Sequence, residues 1–328
     1  MKNKGIWTLL IFLFLSHLTI AQEDLNKSIT INSVNYDQEY LILGYYYGDR
    51  QLVLDTVYKS QDGQYAFQSE DALDEGVYLI LLSPSNRYIQ LLVNKDEGDL
   101  EIELDTNNLS QPIIKNSSDN QLFLDYVAYL NQKGKQNQEL TQQMEQAKEA
   151  GTSIESLNVQ RQELDKEVKS YQRELIGNHP KTLTSTLISS TLDVEIPEFS
   201  GSEEDIKTQQ YYYYRSHYFD HIDLANNIFL RTPFLHNKVD SYINKLTPQV
   251  PDSINLAIDY LLEKMEPAED TYKFYLSYFL NTYARSKVVG QDAVYVHLVD
   301  QYYSKGKANW VEDDQLNKIV AEANKIRP

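Results

Sequence analysis

The chain of 328 residues contains no cysteine. Thiol nucleophiles, thiol–disulfide exchange and thiolate metal ligation are therefore excluded for these residues. Disulfides are excluded too, although a mature chain of about 300 residues can bury ordinary cores without them. Other absences narrow the chemistry further. There is no Gly-x-Gly-x-x-Gly, no phosphate loop, and no Gly-x-Ser-x-Gly elbow to present a serine nucleophile. No basic stripe relieves the excess of 48 Asp and Glu over 30 Lys and Arg. The formal charge of -18 becomes -20 once Lys2 and Lys4 leave with the first 21 residues. Such a surface repels nucleic acid and anionic lipid. With so many carboxylates, pairs arise by accident and support no glycosidase assignment. Beyond residue 21, no apolar run approaches the ~20 residues that a membrane helix needs.

The first residues read as a secretory signal. Lys2 and Lys4 form a positive start, Trp7 to Leu15 is almost wholly apolar, and Thr19-Ile20-Ala21 precedes a cut that leaves Gln22 first. The apolar run is short for a membrane anchor and is followed by Ser16 and His17. No cysteine follows Ala21 to take a lipid. Export combined with a lack of cysteine points to a bacterial cell envelope over a eukaryotic secretory route, with no transmembrane segment in the mature chain.

Residues 27–104, within a β domain placed at residues 22–112, carry period-two patterns cut by turn signals. Ser28 to Ile31 alternates, Gly48-Asp49-Arg50 parts Tyr40–Tyr47 from Gln51–Tyr58, and Asp62-Gly63 turns into Gln64–Phe67. Gly76–Leu82, Tyr88–Val93 and Leu100–Leu104 complete the series. This spacing predicts an antiparallel β-sandwich, with the fully apolar runs central and covered on both faces. Residues 113–180 predict an antiparallel helical hairpin. One helix runs from Ser117 to about Ala150, and a second runs from near Ile154 to Gly177 with a seam at Leu157, Leu164, Val168, Tyr171 and Leu175. Residues 181–328 read as an α-helical domain punctuated at Arg231-Thr232-Pro233, Thr247–Pro251, Glu266-Pro267 and Gly290. The expected class is α+β.

Tyrosine is abundant, at 26 residues, and four of them stand in a row from Tyr211 to Tyr214. On a helix such a run covers every side, so some rings meet solvent or another element. Rings with hydroxyls suit sugars, peptides or a neighbouring domain; burial between helical layers is the alternative. His217 and His221 are four apart, which predicts a shared helix face beside Asp220 and Asp223. Two imidazoles so placed can begin a metal site, with His236 or Asp240 as a third ligand, but the glutamate of a metalloprotease motif is missing. Histidines packed among tyrosines are the competing reading. Tyr211, Tyr213, Tyr214, His217, Tyr218 and His221 are thus the candidate binding face. Asp96-Glu97-Gly98-Asp99 lacks the ligand spacing of a helix-loop-helix calcium site and reads as a turn.

Several stretches together resemble a known arrangement. Gly44, Leu54-Asp55-Thr56-Val57-Tyr58, Asp62-Gly63 and Gly76-Val77-Tyr78 resemble the small β domain that precedes thioredoxin-like domains in exported thiol-disulfide oxidoreductase family proteins of Gram-negative bacteria. Tyr218 to Asp223, Arg231-Thr232-Pro233, Asp292 to Asp300, Tyr302-Tyr303 and Trp310-Val311 resemble the helical domain of unknown function that follows it. The resemblance implies a thioredoxin-like domain next, with a Cys-x-x-Cys pair. These residues reach Ile326-Arg327-Pro328, about where that domain would begin, and a fragment, a truncated product or a stand-alone accessory protein would all fit.

Three functions follow as expectations. The first is a non-catalytic binding or scaffolding module, without a cofactor, whose partner is a thioredoxin-like redox domain or its envelope protein substrate. The second is a peptide- or glycan-binding protein using the tyrosine-rich face. The third is a metal-dependent enzyme at His217 and His221.

Overall fold

A computed structural model describes residues 28–327. The signal-like segment lies outside the described residues. Eight strands come first: β1 (Ser28–Val34), β2 (Tyr40–Tyr47), β3 (Arg50–Tyr58), β4 (Tyr65–Gln68), β5 (Gly76–Leu82), β6 (Arg87–Val93), β7 (Leu100–Asp105) and β8 (Ile113–Lys115). They form two four-stranded sheets, ordered β4-β1-β7-β8 and β3-β2-β5-β6.

Alternation fixes the first sheet. Ile29 and Ile31 of β1, Leu100, Ile102 and Leu104 of β7, and Tyr65 and Phe67 of β4 point into one core, while Glu101 and Glu103 face out. The expected antiparallel sandwich is there, with one exception in pairing: β1 pairs parallel with β7, in register from Ile29 with Leu100 to Val34 with Asp105. Side-chain alternation records which face a residue takes and not the direction of its neighbour, so the pattern was blind to this. β8, too short to show alternation, was also missed.

The apolar run of β5 is covered on both sides, as expected. Tyr78, Ile80 and Leu82 join the sandwich core, whereas Val77 joins Leu92 of β6 in the core of the helical region. Buried tyrosines spend their hydroxyls locally: Tyr65 donates to Gln38 O at 2.5 Å and Tyr36 to Tyr40 O at 2.8 Å.

Helices follow: α1 (Ser118–Glu149), α2 (Glu155–Asn178), α3 (Leu183–Ser190), α4 (Glu203–Ser216), α5 (Leu235–Asn244), α6 (Pro251–Met265), α7 (Glu269–Ala284), α8 (Asp292–Leu298) and α9 (Asp313–Ile326). A 3₁₀ turn (Asn227–Arg231) precedes α5, and a π turn (Val299–Tyr303) continues α8. α1 and α2 form the expected hairpin. Its seam is thin, with Tyr126, Met144 and Leu175 the buried apolar side chains. Tyr171 stacks near Tyr126 and Tyr129, and Lys133 reaches Glu167 at 2.5 Å. By contrast, α5 to α9 enclose a dense core in which Tyr275, Leu276, Phe279, Leu261 and Val294 are buried.

Two joints fasten the sandwich to the helices. At the first, Asn120 is fully buried and its amide accepts from Leu92 N and donates to Leu92 O, both at 2.7 Å. It thereby satisfies the edge of β6 as a neighbouring strand would. Asp119 beside it accepts from Leu183 N at 2.7 Å and Thr184 N at 2.9 Å, capping α3. The Asp96–Asp99 turn serves the same region: Glu97 takes bonds from Ser117 Oγ, Ser118 Oγ and Asp119 N, and Asp99 takes one from Ser28 N. At the second joint, Arg231 is buried and bonds Asp74 at 2.6 Å and Asp270 at 3.2 Å, with its guanidinium 5.8 Å from the Tyr47 ring centre. Gly48 N donates to Leu230 O at 2.8 Å. Gly48 has φ +61, and a Cβ there would lie 2.0 Å from the Phe274 ring. Only glycine supplies both the turn and the space.

Candidate functional site

α4 begins with a capping box, in which Ser202 Oγ accepts from Asp205 N while the Asp205 carboxylate accepts from Ser202 N. It ends where three donors converge on one carbonyl. Tyr213 O accepts from His217 N at 3.1 Å, from Ser216 Oγ at 2.9 Å and from His217 Nδ1 at 2.8 Å. The last bond places the imidazole proton on Nδ1 and leaves Nε2 of the neutral ring as an acceptor. The ring lies flat on Tyr213, with centroids 3.9 Å apart and planes at 17°.

This ending corrects one expectation. His217 is the C-cap of α4 and His221 lies in the turn beyond it, so the two do not share a helix face. The competition of Ser216 and His217 for the helix's last carbonyls, invisible to a spacing rule, breaks the helix between them. The two imidazoles nevertheless line one cleft.

That cleft has a volume of ≈ 500 Å³. Its near wall is Tyr213, His217, Asp220 and His221; its far wall is Lys169, Gln172 and Arg173 of α2 together with the segment Thr191 to Glu195. Arg173 pairs with Glu195 and ties that segment to α2. Lys169 pairs with Asp165 at 2.9 Å, which holds its ammonium above the usual range, with Asp193 adding to the effect. Across the segment, burial lowers the Lys238 pKa and Asp193 opposes the shift. The floor thus mixes both signs of charge.

The segment itself is unusual. From Asp193 to Phe199 it has no regular secondary structure and belongs to neither sheet, and among the described residues its main chain makes no backbone–backbone hydrogen bond. Leu192 and Val194 are half-buried while Thr191, Asp193 and Glu195 are exposed, a short strand-like alternation that stops there, because Ile196, Pro197 and Glu198 are all exposed. Edges of this kind are ready to pair with another chain.

The tyrosine run divides by helical angle. Tyr211 leaves the cleft and donates to Leu246 O at 2.8 Å, joined there by Arg215 Nε at 3.0 Å. Tyr212 is 64% exposed. Tyr213 enters the cleft and meets Phe199 edge-on at 5.9 Å. Tyr214 packs on Tyr218 at 5.5 Å. Tyr218 in turn stacks on Tyr242, and burial, then the nearby Tyr214, raises its pKa. No residue of α4 is buried, so the run is not sandwiched between helical layers.

Of the six candidate residues, Tyr213, His217 and His221 come together, while Tyr211, Tyr214 and Tyr218 serve packing. His236 of α5 packs against Tyr275 and Tyr278, Asp240 accepts from Asn244, and Asp223 accepts from Ala225 N. None of these three lines the cleft. Among the described residues no three His, Cys, Asp or Glu side chains cluster to hold a metal. Lys169, Arg173, Asp193 and Glu195 were not foreseen as site residues. Lys169 and Arg173 lie on another helix, and Asp193 and Glu195 sit in the loop leading into α4, where no motif marked them.

A family profile described as a domain of unknown function (DUF5106) matches residues 157–327, from within α2 through α9. No curated protein and no solved structure matches the chain. The cleft lies wholly inside the matched span. The chain belongs to the DUF5106 family, whose function is unknown.

Proposed function

We propose that this chain is an exported, non-catalytic binding module whose cleft receives an extended polypeptide segment. The observation that carries the reading is the unpaired main chain from Asp193 to Phe199, set beside the Tyr213–His217 stack. A peptide laid along this segment would pair with its carbonyls and with the free amides from Asp193 to Ile196, Pro197 having none, and Tyr213 would offer a ring face to one side chain. Lys169, Arg173, Asp193 and Glu195 supply charges of both signs, which suits ordinary polypeptide better than a uniformly acidic or basic ligand. In this reading the partner is a thioredoxin-like redox domain or, more directly, its envelope protein substrate. The chain holds the polypeptide while a thiol on another domain does the chemistry.

The test is a fluorescence-anisotropy titration of the full chain with a labelled, reduced and alkylated unfolded polypeptide. Binding should be weakened at least tenfold by Tyr213→Ala, the loss expected for an aromatic anchor worth about 1.4 kcal/mol or more. The melting temperature should stay unchanged, because Tyr213 supports no core. Equal binding by wild type and Tyr213→Ala would remove the cleft from the account. A glycan occupant of the same cleft is the second reading, and a polypeptide that fails to bind where a soluble oligosaccharide does would favour it.

A further inference from the structure

A second cleft, of ≈ 540 Å³, opens where the β2–β3 turn meets α7. Three rings form its wall. Phe274 and Tyr278 are parallel within 6°, their centroids 6.2 Å apart, and Tyr47 meets Phe274 edge-on at 5.6 Å. Polar groups stand on the rim from both halves of the protein. Asp49 and Arg50 come from the turn and touch each other only at 3.5 Å. Asn281 and Arg285 come from α7 and its C-cap; Asn281 Nδ2 donates to Ser277 O at 2.8 Å, which leaves its Oδ1 to accept. Among the described residues Arg285 has no ion pair.

Behind the wall lie two polar atoms without partners. Tyr275 is fully buried, and its hydroxyl has no hydrogen bond. His236 Nδ1, also buried, has none, and its ring lies parallel to Tyr275 and edge-on to Tyr278. Burial raises the Tyr275 pKa well above normal, and the ionisable groups that add to this are Tyr278 and Asp49, both cleft residues. Buried polar groups are nearly always paired, and exceptions collect where something else completes the bond.

We propose that this cleft binds a neutral saccharide ring. A simple anion is disfavoured by Asp49 and by a net charge of -18, and a cation by the two guanidiniums. A purely apolar ligand would strand the rim groups without water. A sugar meets both demands: its C–H face lies on the aromatic wall, while a carboxylate, an amide and two guanidiniums, all planar, each bond neighbouring hydroxyls. Because the rim draws on the β2–β3 turn and on α7, the bound ring would also span the joint between sandwich and helices.

Saturation-transfer-difference NMR of the full chain with cellobiose, maltose, chitobiose and xylobiose tests this. At least one disaccharide should give saturation concentrated on one ring face. Tyr278→Ala should abolish it, and Arg285→Ala, a surface change that leaves the fold intact, should weaken it roughly 3- to 10-fold, the range for one lost hydrogen bond. Tyr213→Ala should leave it unchanged. Absence of signal from all four sugars would overturn the proposal, as would a signal indifferent to Arg285→Ala or displaced by a short oligoglutamate.

Discussion

The seam between sandwich and helices and the α2–α4 cleft are built on opposite principles. At the two joints of the seam the polar groups are paired across it. Arg231 has two carboxylates and a ring, Asn120 closes the edge of β6, and Gly48 leaves room for Phe274 and nothing more. In the cleft the main chain of a segment outside both sheets is left open, no residue of α4 is buried, and charges of both signs face water. The first region is over-determined and holds the fold. The second is under-packed, and it is the region proposed to receive a partner. Binding surfaces are drawn from the less stable parts of proteins for this reason.

The contrast can be broken first at the seam. Gly48→Val places a branched side chain at φ +61 against the Phe274 ring. It should cost roughly 4 kcal/mol, combining a left-handed backbone penalty with overpacking. Urea denaturation followed by circular dichroism measures this, and a loss below about 1 kcal/mol would show that the seam yields easily. It would then resemble the cleft.

A middle-sized effect is expected at the half-buried junction of α6 and α8. Asp259 accepts from Tyr302 at 2.7 Å and bonds His297 Nε2 at 2.9 Å. Burial pushes its pKa up, but the bonds from His297 and Tyr302 outweigh this and hold it below the ordinary value. A depressed carboxylate stabilises the fold above its unfolded pKa of about 3.9 and loses that contribution as pH falls through the lower folded value. Stability should therefore drop below about pH 4, and Asp259→Asn should flatten that part of the profile. An acid limb identical in the variant would contradict the assignment. The smallest effect belongs to the cleft, where Tyr213→Ala should leave the melting temperature unmoved.

Much of the fold was legible in the sequence because it rests on local periodicity. The strand series, the hairpin and the breaks at Thr232-Pro233, Thr247–Pro251 and Gly290 all announce themselves within a few residues. Pairing direction did not. The parallel β1–β7 contact joins residues about 70 positions apart, and alternation carries no trace of it. The site was half legible. Tyr213, His217 and His221 were singled out by type and spacing, but their relation was misread because the helix stops at Ser216 under the pull of side-chain hydrogen bonds. The opposite wall, from Lys169 to Glu195, is brought in by the turn between α2 and α3, a tertiary event. Asp259 escaped notice as one acid among 48, and its pairing with His297 and Tyr302 appears only when α6 lies against α8.

Hydrogen exchange at Asp193, Val194, Glu195 and Ile196 tests the central claim most directly. In the free chain these amides should exchange as fast as an unstructured peptide, and adding the unfolded polypeptide should slow them while the seam around Leu92 and Gly48 stays as protected as before. If these four amides are already protected in the free chain, or remain fast when polypeptide is bound, the open segment is not the docking edge and the cleft has another purpose.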